Sequence, residues 1–193
     1  NFSDSETNTS GYKIKFTDDY LNVAYYMYVV TVGTLNGPFQ FYGEIVNSSG
    51  KDFVILMDDI FDVSVTSEGT PTAWAFETEG QKASENGIIK TEMTPGASFT
   101  ANCTTSQSGE GYIPIIYLDY ASESGVYTAL EWPSGNVNVR CISEKSVNLS
   151  VKLAGGFKTK ITEDMVFQVP AVYLGVFDGD MDDGSNIFKR WFF

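Results

Sequence analysis

The 193 residues carry a net charge of −13, from 25 acidic and 12 basic side chains, and include no histidine. That charge repels nucleic acid and anionic membrane, because phosphate recognition needs clustered Lys and Arg. The missing imidazole excludes a Ser-His-Asp triad, a Cys-His pair and His-ligated metal within this chain. Apolar residues at 42% and aromatics at 15% fit a globular protein of one large or two small domains. No apolar run approaches the roughly 18 residues of a membrane span.

The chain opens on a polar segment, residues 1–11, which reads as a tail. Period-two patterning then dominates. Tyr12, Ile14 and Phe16 alternate with Lys13 and Lys15; Val137, Val139 and Cys141 with Asn136, Asn138 and Arg140; Val147, Leu149, Val151 and Leu153 with Asn148, Ser150 and Lys152. Strict alternation marks half-buried strands of antiparallel sheets. Further strands are expected at Tyr20–Val32, Phe39–Val46, Phe53–Met57, Phe61–Thr66, Ala73–Glu77, Ile88–Glu92, Ser98–Cys103, Ile113–Tyr120, Val126–Trp132, Met165–Val169 and Val172–Phe177. Turn signals separate them, among them Asn36-Gly37-Pro38, Asn86-Gly87, Ser108-Gly109, Pro133-Ser134-Gly135 and Gly155-Gly156. About a dozen short strands at this spacing imply a large two-sheet sandwich over residues 12–177.

Cys103 and Cys141 fall on the apolar side of their strands and read as buried free thiols, with an inter-sheet disulfide as the alternative. Thr66 to Gly87 reads either as carrying the short strand Ala73–Glu77 or as a long excursion; on the second reading Trp74 sits in a loop and is the aromatic least suited to a core and best suited to stack on a sugar. Five N-x-S/T sequons, at Asn1, Asn8, Asn47, Asn102 and Asn148, lean with the polar start toward a secreted or cell-surface protein.

Residues 178–193 read as an acidic turn and a helix. Ile187, Phe188, Trp191 and Phe192 fall on one helical face, Asp180, Asp182 and Asp183 suit the cap and first turn, and Lys189 and Arg190 suit the last turn. The run Asp178-Gly179-Asp180-Met181-Asp182-Asp183-Gly184 is similar to a calcium loop, but its Gly falls one position late and Lys189 stands where the bidentate Glu should be. No metal or cofactor is expected. The adjacent pairs Asp18-Asp19 and Asp58-Asp59 point to opposite faces of a strand or lie in solvated turns, which is the wrong geometry for two carboxylates flanking a glycosidic bond. An apolar helical face at the end of the sequence has to be buried, so the chain is expected to be the front part of a longer polypeptide.

The segment Phe167-Gln168-Val169-Pro170-Ala171-Val172-Tyr173-Leu174-Gly175, followed by Gly179-Asp180-Met181-Asp182-Asp183-Gly184-Ser185-Asn186 and Lys189-Arg190-Trp191, resembles the exit of the N-terminal domain of glycoside hydrolase family 36, the α-galactosidases and α-N-acetylgalactosaminidases. Gly37-Pro38-Phe39 through Gly50 and Gly111-Tyr112-Ile113-Pro114 through Trp132 are similar too. Met181 stands where the family often has Trp. The resemblance implies a large antiparallel β-supersandwich of the galactose-mutarotase-like type with a short C-terminal helix. It also implies a following (β/α)8 barrel that holds both catalytic Asp residues, so no catalytic residue is carried over to this chain. The expected role is then a non-catalytic accessory domain of a retaining α-galactosidase-like hydrolase, supporting barrel packing, homo-oligomerisation and the substrate site. Ile187, Phe188, Trp191 and Phe192 would form an interdomain contact with the barrel, Asp180, Asp182 and Asp183 a capped hinge, and Trp74 a carbohydrate contact. In this chain alone the four helical residues should be poorly covered, swapped into a neighbour or packed back on the sandwich. The alternative is a stand-alone carbohydrate-binding or cell-surface interaction module.

Overall fold

The computed structural model describes residues 1–4, 8–33, 37–66, 69–78, 86–103 and 111–192. Two antiparallel sheets face each other. The larger runs, edge to edge, through β1 (Phe2–Asp4), β2 (Thr9–Asp18), β3 (Val23–Val32), β4 (Phe39–Asn47), β13 (Val166–Asp178), β10 (Ser124–Leu130), β9 (Gly111–Tyr120), β6 (Thr72–Thr78) and β7 (Asn86–Glu92). The smaller runs through β5 (Phe53–Thr66), β12 (Ser146–Ile161), β11 (Gly135–Ser143) and β8 (Ser98–Cys103). One helix, α1 (Met181–Phe192), follows β13. The chain is therefore an all-β sandwich with a short C-terminal helix, and part of the segment that reads as a polar tail pairs into the large sheet as β1 and the start of β2.

The main core lies between the sheets. Val137, Val139 and Cys141 of β11 and Val147, Leu149, Val151 and Leu153 of β12 are all but fully buried and meet Ala73, Ala75, Ile116, Leu118, Val126 and Val172 of the large sheet. Their alternating partners on β11 and β12 face outward, as the period-two pattern requires. The central strands differ. Ile115 to Tyr120 and Gly125 to Leu130 are buried without interruption, because the small sheet covers one face of β9 and β10 and α1 covers the other. Two-sided burial is what turns alternation into a continuous apolar run.

Three strand assignments change in the structure, each at a bulge. Phe53–Thr66 is one strand, with Ile60 inserted where Phe61 pairs with Val151 and Asp59 with Lys152. Gly155 and Gly156, which look like a turn, lie inside β12 at φ +64° and +66°. There a step of five from Lys152 to Phe157 opposes a step of two from Asp59 to Met57, and glycine tolerates the left-handed backbone that absorbs the excess. Val166–Asp178 is likewise one strand, with the register shift between Val169 and Val172 at Pro170. A proline inside a sheet belongs at such a bulge because it has no N–H to give. The expected turn at Ser108-Gly109 lies outside the described residues.

Both thiols are free and buried. Cys103 lies opposite Gly135, six residues along β11 from Cys141, so the two are about 20 Å apart, well beyond disulfide reach. Burial pushes the Cys103 thiol up to about 12.

Where β4 leaves the sheet, Asn47 is fully buried and ties three segments together. Its amide donates to the carbonyls of Lys51 (2.8 Å), Thr162 (2.9 Å) and Ile161 (3.3 Å), and its Oδ1 accepts from the Ser49 N–H (3.0 Å) and hydroxyl (2.6 Å). This sequon leaves no room for a glycan in the folded chain. Asn47→Ala strands the buried Ile161 carbonyl and two part-buried ones and is expected to lower unfolding free energy by about 3 kcal/mol, read as a shifted urea midpoint at unchanged slope; a loss under about 1 kcal/mol would contradict this bonding role.

Candidate functional site

The outward face of the central large sheet is an aromatic surface rather than a solvated one. Ile115 and Tyr117 of β9, Tyr127 and Ala129 of β10, and Ala171, Tyr173 and Phe177 of β13 are all buried there, beneath Met181, Ile187, Phe188 and Trp191 of α1. Tyr127 and Phe188 lie 5.4 Å apart between ring centroids, Tyr173 and Trp191 5.1 Å, and Tyr173 and Phe188 6.3 Å. Two glycines permit the close approach. A Cβ at Gly175 would fall 2.2 Å from the Tyr127 ring, and one at Gly184 would fall 2.7 Å from Phe177.

The acidic turn sets the helix on this face. Gly179 takes φ +94° and donates to the Glu123 carbonyl. Asp180 is the N-cap: its Oδ1 accepts from the N–H groups of Asp182 (2.9 Å) and Asp183 (3.1 Å), while Asp183 Oδ2 accepts from the Asp180 N–H (3.2 Å). This is a reciprocal capping box closed by Asp at both ends. Asp182 and Asp183 also stand at the positive end of the helix dipole. Asp180 and Asp183 thus serve the backbone, and no group of three or more acidic or thiol side chains among the described residues is placed to hold a metal ion.

Of the four helical aromatics and aliphatics singled out by spacing, Ile187, Phe188 and Trp191 are half-buried against the sandwich, and Phe192 is 54% exposed. Packing back on the sandwich is the arrangement the structure adopts. Met181 is buried in the same cluster. Trp74 is not in a loop. It lies on β6, cross-strand from Tyr117 and Lys90, because Thr72–Thr78 is a strand held between β7 and β9. The Lys90 ammonium sits over its ring at 4.6 Å, and its buried indole N–H finds no acceptor among the described residues. Trp74 and the helical residues therefore share one face of the sheet.

That face also holds further aromatic and polar residues. Tyr173 donates to Glu131 Oε2 and accepts from Gln40 Nε2 at 3.3 Å. Farther along, Tyr28 stacks on Tyr42 at 4.5 Å and donates to Glu44 at 2.6 Å, with the Lys13 ammonium over Tyr26 and Tyr28. The unbroken apolar run of β9 is the only sequence signal that a second layer covers this side. Burial pushes the Tyr117 hydroxyl up to about 12, partly offset by Ser185. Burial and then Tyr117 raise Tyr127, and burial and then Glu131 raise Tyr173. Hydroxyls held neutral in this way are structural groups rather than proton carriers. The surface is suited to rigid packing.

Because folding raises these tyrosines above their ordinary value of 10.0, it favours their neutral forms. The stability they contribute is complete below pH 10 and is lost as pH climbs above it, through about 12 for Tyr117. In a base titration, tyrosinate absorbance from these three rings should therefore rise together with loss of near-ultraviolet circular dichroism. Ionisation of all three with the fold intact would contradict the packing described.

No protein-family model matches the chain, and no curated protein matches it in sequence. Solved structures do. The α-galactosidase from Lactobacillus brevis superposes with a TM-score of 0.71 at 14% identity, over 99% of this chain and 26% of that one. A single-substitution variant of the GH36 α-galactosidase AgaA from Geobacillus stearothermophilus, solved with 1-deoxygalactonojirimycin, gives 0.71 at 12% identity over 98% and 27%. The Slr1438 protein from Synechocystis gives 0.52 at 9% identity over 90% and 63%. The chain thus spans about a quarter of the length of the α-galactosidases it matches, and its fold is that of a domain found within GH36 α-galactosidases.

Proposed function

We propose that this chain is a non-catalytic accessory domain of an α-galactosidase-like glycoside hydrolase, preceding a catalytic barrel in the same polypeptide. The observation that carries this reading is the near-complete overlap of the chain with one quarter of several α-galactosidases. On this reading residues 12–177 are the sandwich and 178–193 the connection to the barrel. The capped turn at Asp180 to Asp183 fixes the direction in which the chain leaves the sandwich. The barrel completes the cover of α1 on its open side, where Phe192 and Ile113 are each about half exposed and where Phe76, Tyr117, Phe188 and Phe192 line an apolar depression of about 230 Å³. The domain holds barrel and sandwich in fixed relation, and carbohydrate chemistry belongs to the barrel.

The experiment is an assay of the purified chain with an aryl α-galactoside, alongside calorimetric titration with galactose and raffinose. The expected result is no hydrolysis and no heat of binding. Turnover would overturn the non-catalytic role. Saturable binding that is lost in Trp74→Ala would instead make the domain a carbohydrate-binding module and return Trp74 to the role its sequence context suggests.

A further inference from the structure

Phe41 of β4 and Phe61 of β5 meet across the core with ring centroids 5.0 Å apart. The last strand of the small sheet, β5, therefore lies opposite β4, while the large sheet runs on past β4 through β3 and β2. Strands within a sheet are about 4.8 Å apart, so the position one step beyond β5 falls opposite β3. A trough occupies it. One depression of about 280 Å³ has Met27, Val29 and Phe41 on one wall and Ile60, Phe61 and Val63 on the other. A second, of about 380 Å³, shares Val29 and continues to Tyr12, Thr31 and Phe39. Register puts Tyr12 beside Val29, Ile14 beside Met27 and Phe16 beside Tyr25 on this inner side, and the three β2 side chains are 59%, 41% and 52% exposed.

The wall on the small-sheet side is a strand edge. Ile60, Phe61, Asp62 and Val63 all line the trough, although alternate residues of a strand point to opposite faces. Among the described residues β5 is hydrogen-bonded on one side alone, to β12. A free edge presents a row of N–H and C=O groups to any extended chain, and proteins blunt such edges with Pro, Lys, short strands or bulges. β5 has 14 residues, none of them Pro or Lys, and its bulge at Ile60 leaves Phe61 to Thr66 in regular register with β12.

We propose that an extended segment of the same polypeptide, from outside residues 1–193, adds to β5 as a fifth strand of the small sheet and lies opposite β3. Backbone hydrogen bonds to the free edge supply the attachment, and alternate side chains supply the selectivity. Toward β3 the segment carries apolar residues, which fill the trough. On the outer side of β5, Asp59 is ion-paired with Lys152 at 2.8 Å, whereas Asp62 is met by the neutral Asn148 amide at 2.6 Å. A Lys or Arg among the outward residues of the segment faces Asp62, the cross-strand pairing that charge favours. The chain spans about a quarter of the length of the α-galactosidases it matches, and one further strand is a small part of the remainder. The inference rests on reading the chain as part of a longer polypeptide, but not on what its other domains do.

Amide hydrogen exchange compares the 193-residue chain with the polypeptide of its complete reading frame. In the 193-residue chain the amides of Phe61 to Thr66 that point away from β12 should exchange fast. In the complete polypeptide they should exchange at least about 100-fold more slowly, and equally so from about 1 to 100 μM protein. Val29→Lys, which sets a charge in both depressions, should restore fast exchange there, and Lys13→Ser on the other face should not. Near-ultraviolet circular dichroism checks that the variants are folded, and Ile14→Ser replaces Val29→Lys if it is not. Equal rates in the two polypeptides overturn the proposal. So does protection that survives the inner-face substitution, or protection lost on dilution, which would make the occupant a second copy. Exchange along α1 in the same samples reports on the barrel separately: α1 slowed with β5 unchanged sinks the added strand and leaves the accessory-domain reading standing, and the reverse pattern does the opposite.

Discussion

The structure depends on burying both faces of the central strands. β9, β10 and β13 pack the small sheet on one side and α1 on the other, so each residue along them is committed to one of two cores. That commitment removes the usual freedom of an antiparallel sheet, where one face can remain wet. A register slip of one residue would drive Tyr117, Tyr127 and Tyr173 into the inter-sheet core and expel Ile116, Leu118 and Val172 toward the helix. The glycines at 175 and 184 belong to the same constraint, because they set how deeply rings and helix can settle. The exit of the chain is thereby fixed: β13 delivers Asp178 to one place, and the capping box turns the backbone into α1 over the aromatic face.

Much of this was legible in the residues. Alternation in β11 and β12 predicts their inward sides residue for residue, since the outward partners are polar. The helix is legible from Ile187, Phe188, Trp191 and Phe192, and its start from the acidic cap. Spacing argues against reading the acidic run as a calcium loop, and in the structure Asp180 and Asp183 accept from backbone N–H groups.

What was not legible has a common physical origin. A bulge is a property of two strands, so Pro170, Ile60 and the Gly155-Gly156 pair look like strand ends until the partner register is known. Trp74 looks like a loop residue because the wider stretch from Thr66 to Gly87 is mostly polar, but its place is decided by pairing with β9 and β7 on either side. The apolar run of β9 reveals a second covering layer without revealing that α1 supplies it. The inequality of the two sheets lies entirely in strand order, and with it the half-exposed inner face of β2. A reading of Tyr12, Ile14 and Phe16 as ordinary core residues follows from alternation, and only the structure shows that each stays about half exposed.

The central claim is that α1 is the second cover of the sandwich. Truncation after Asp178 tests this most directly. The account predicts that the shortened chain binds a hydrophobic dye, loses near-ultraviolet aromatic signal and melts well below the 193-residue chain, because Tyr117, Tyr127, Tyr173 and Phe177 are opened to water. A truncated chain with the same melting temperature and no dye binding would contradict it.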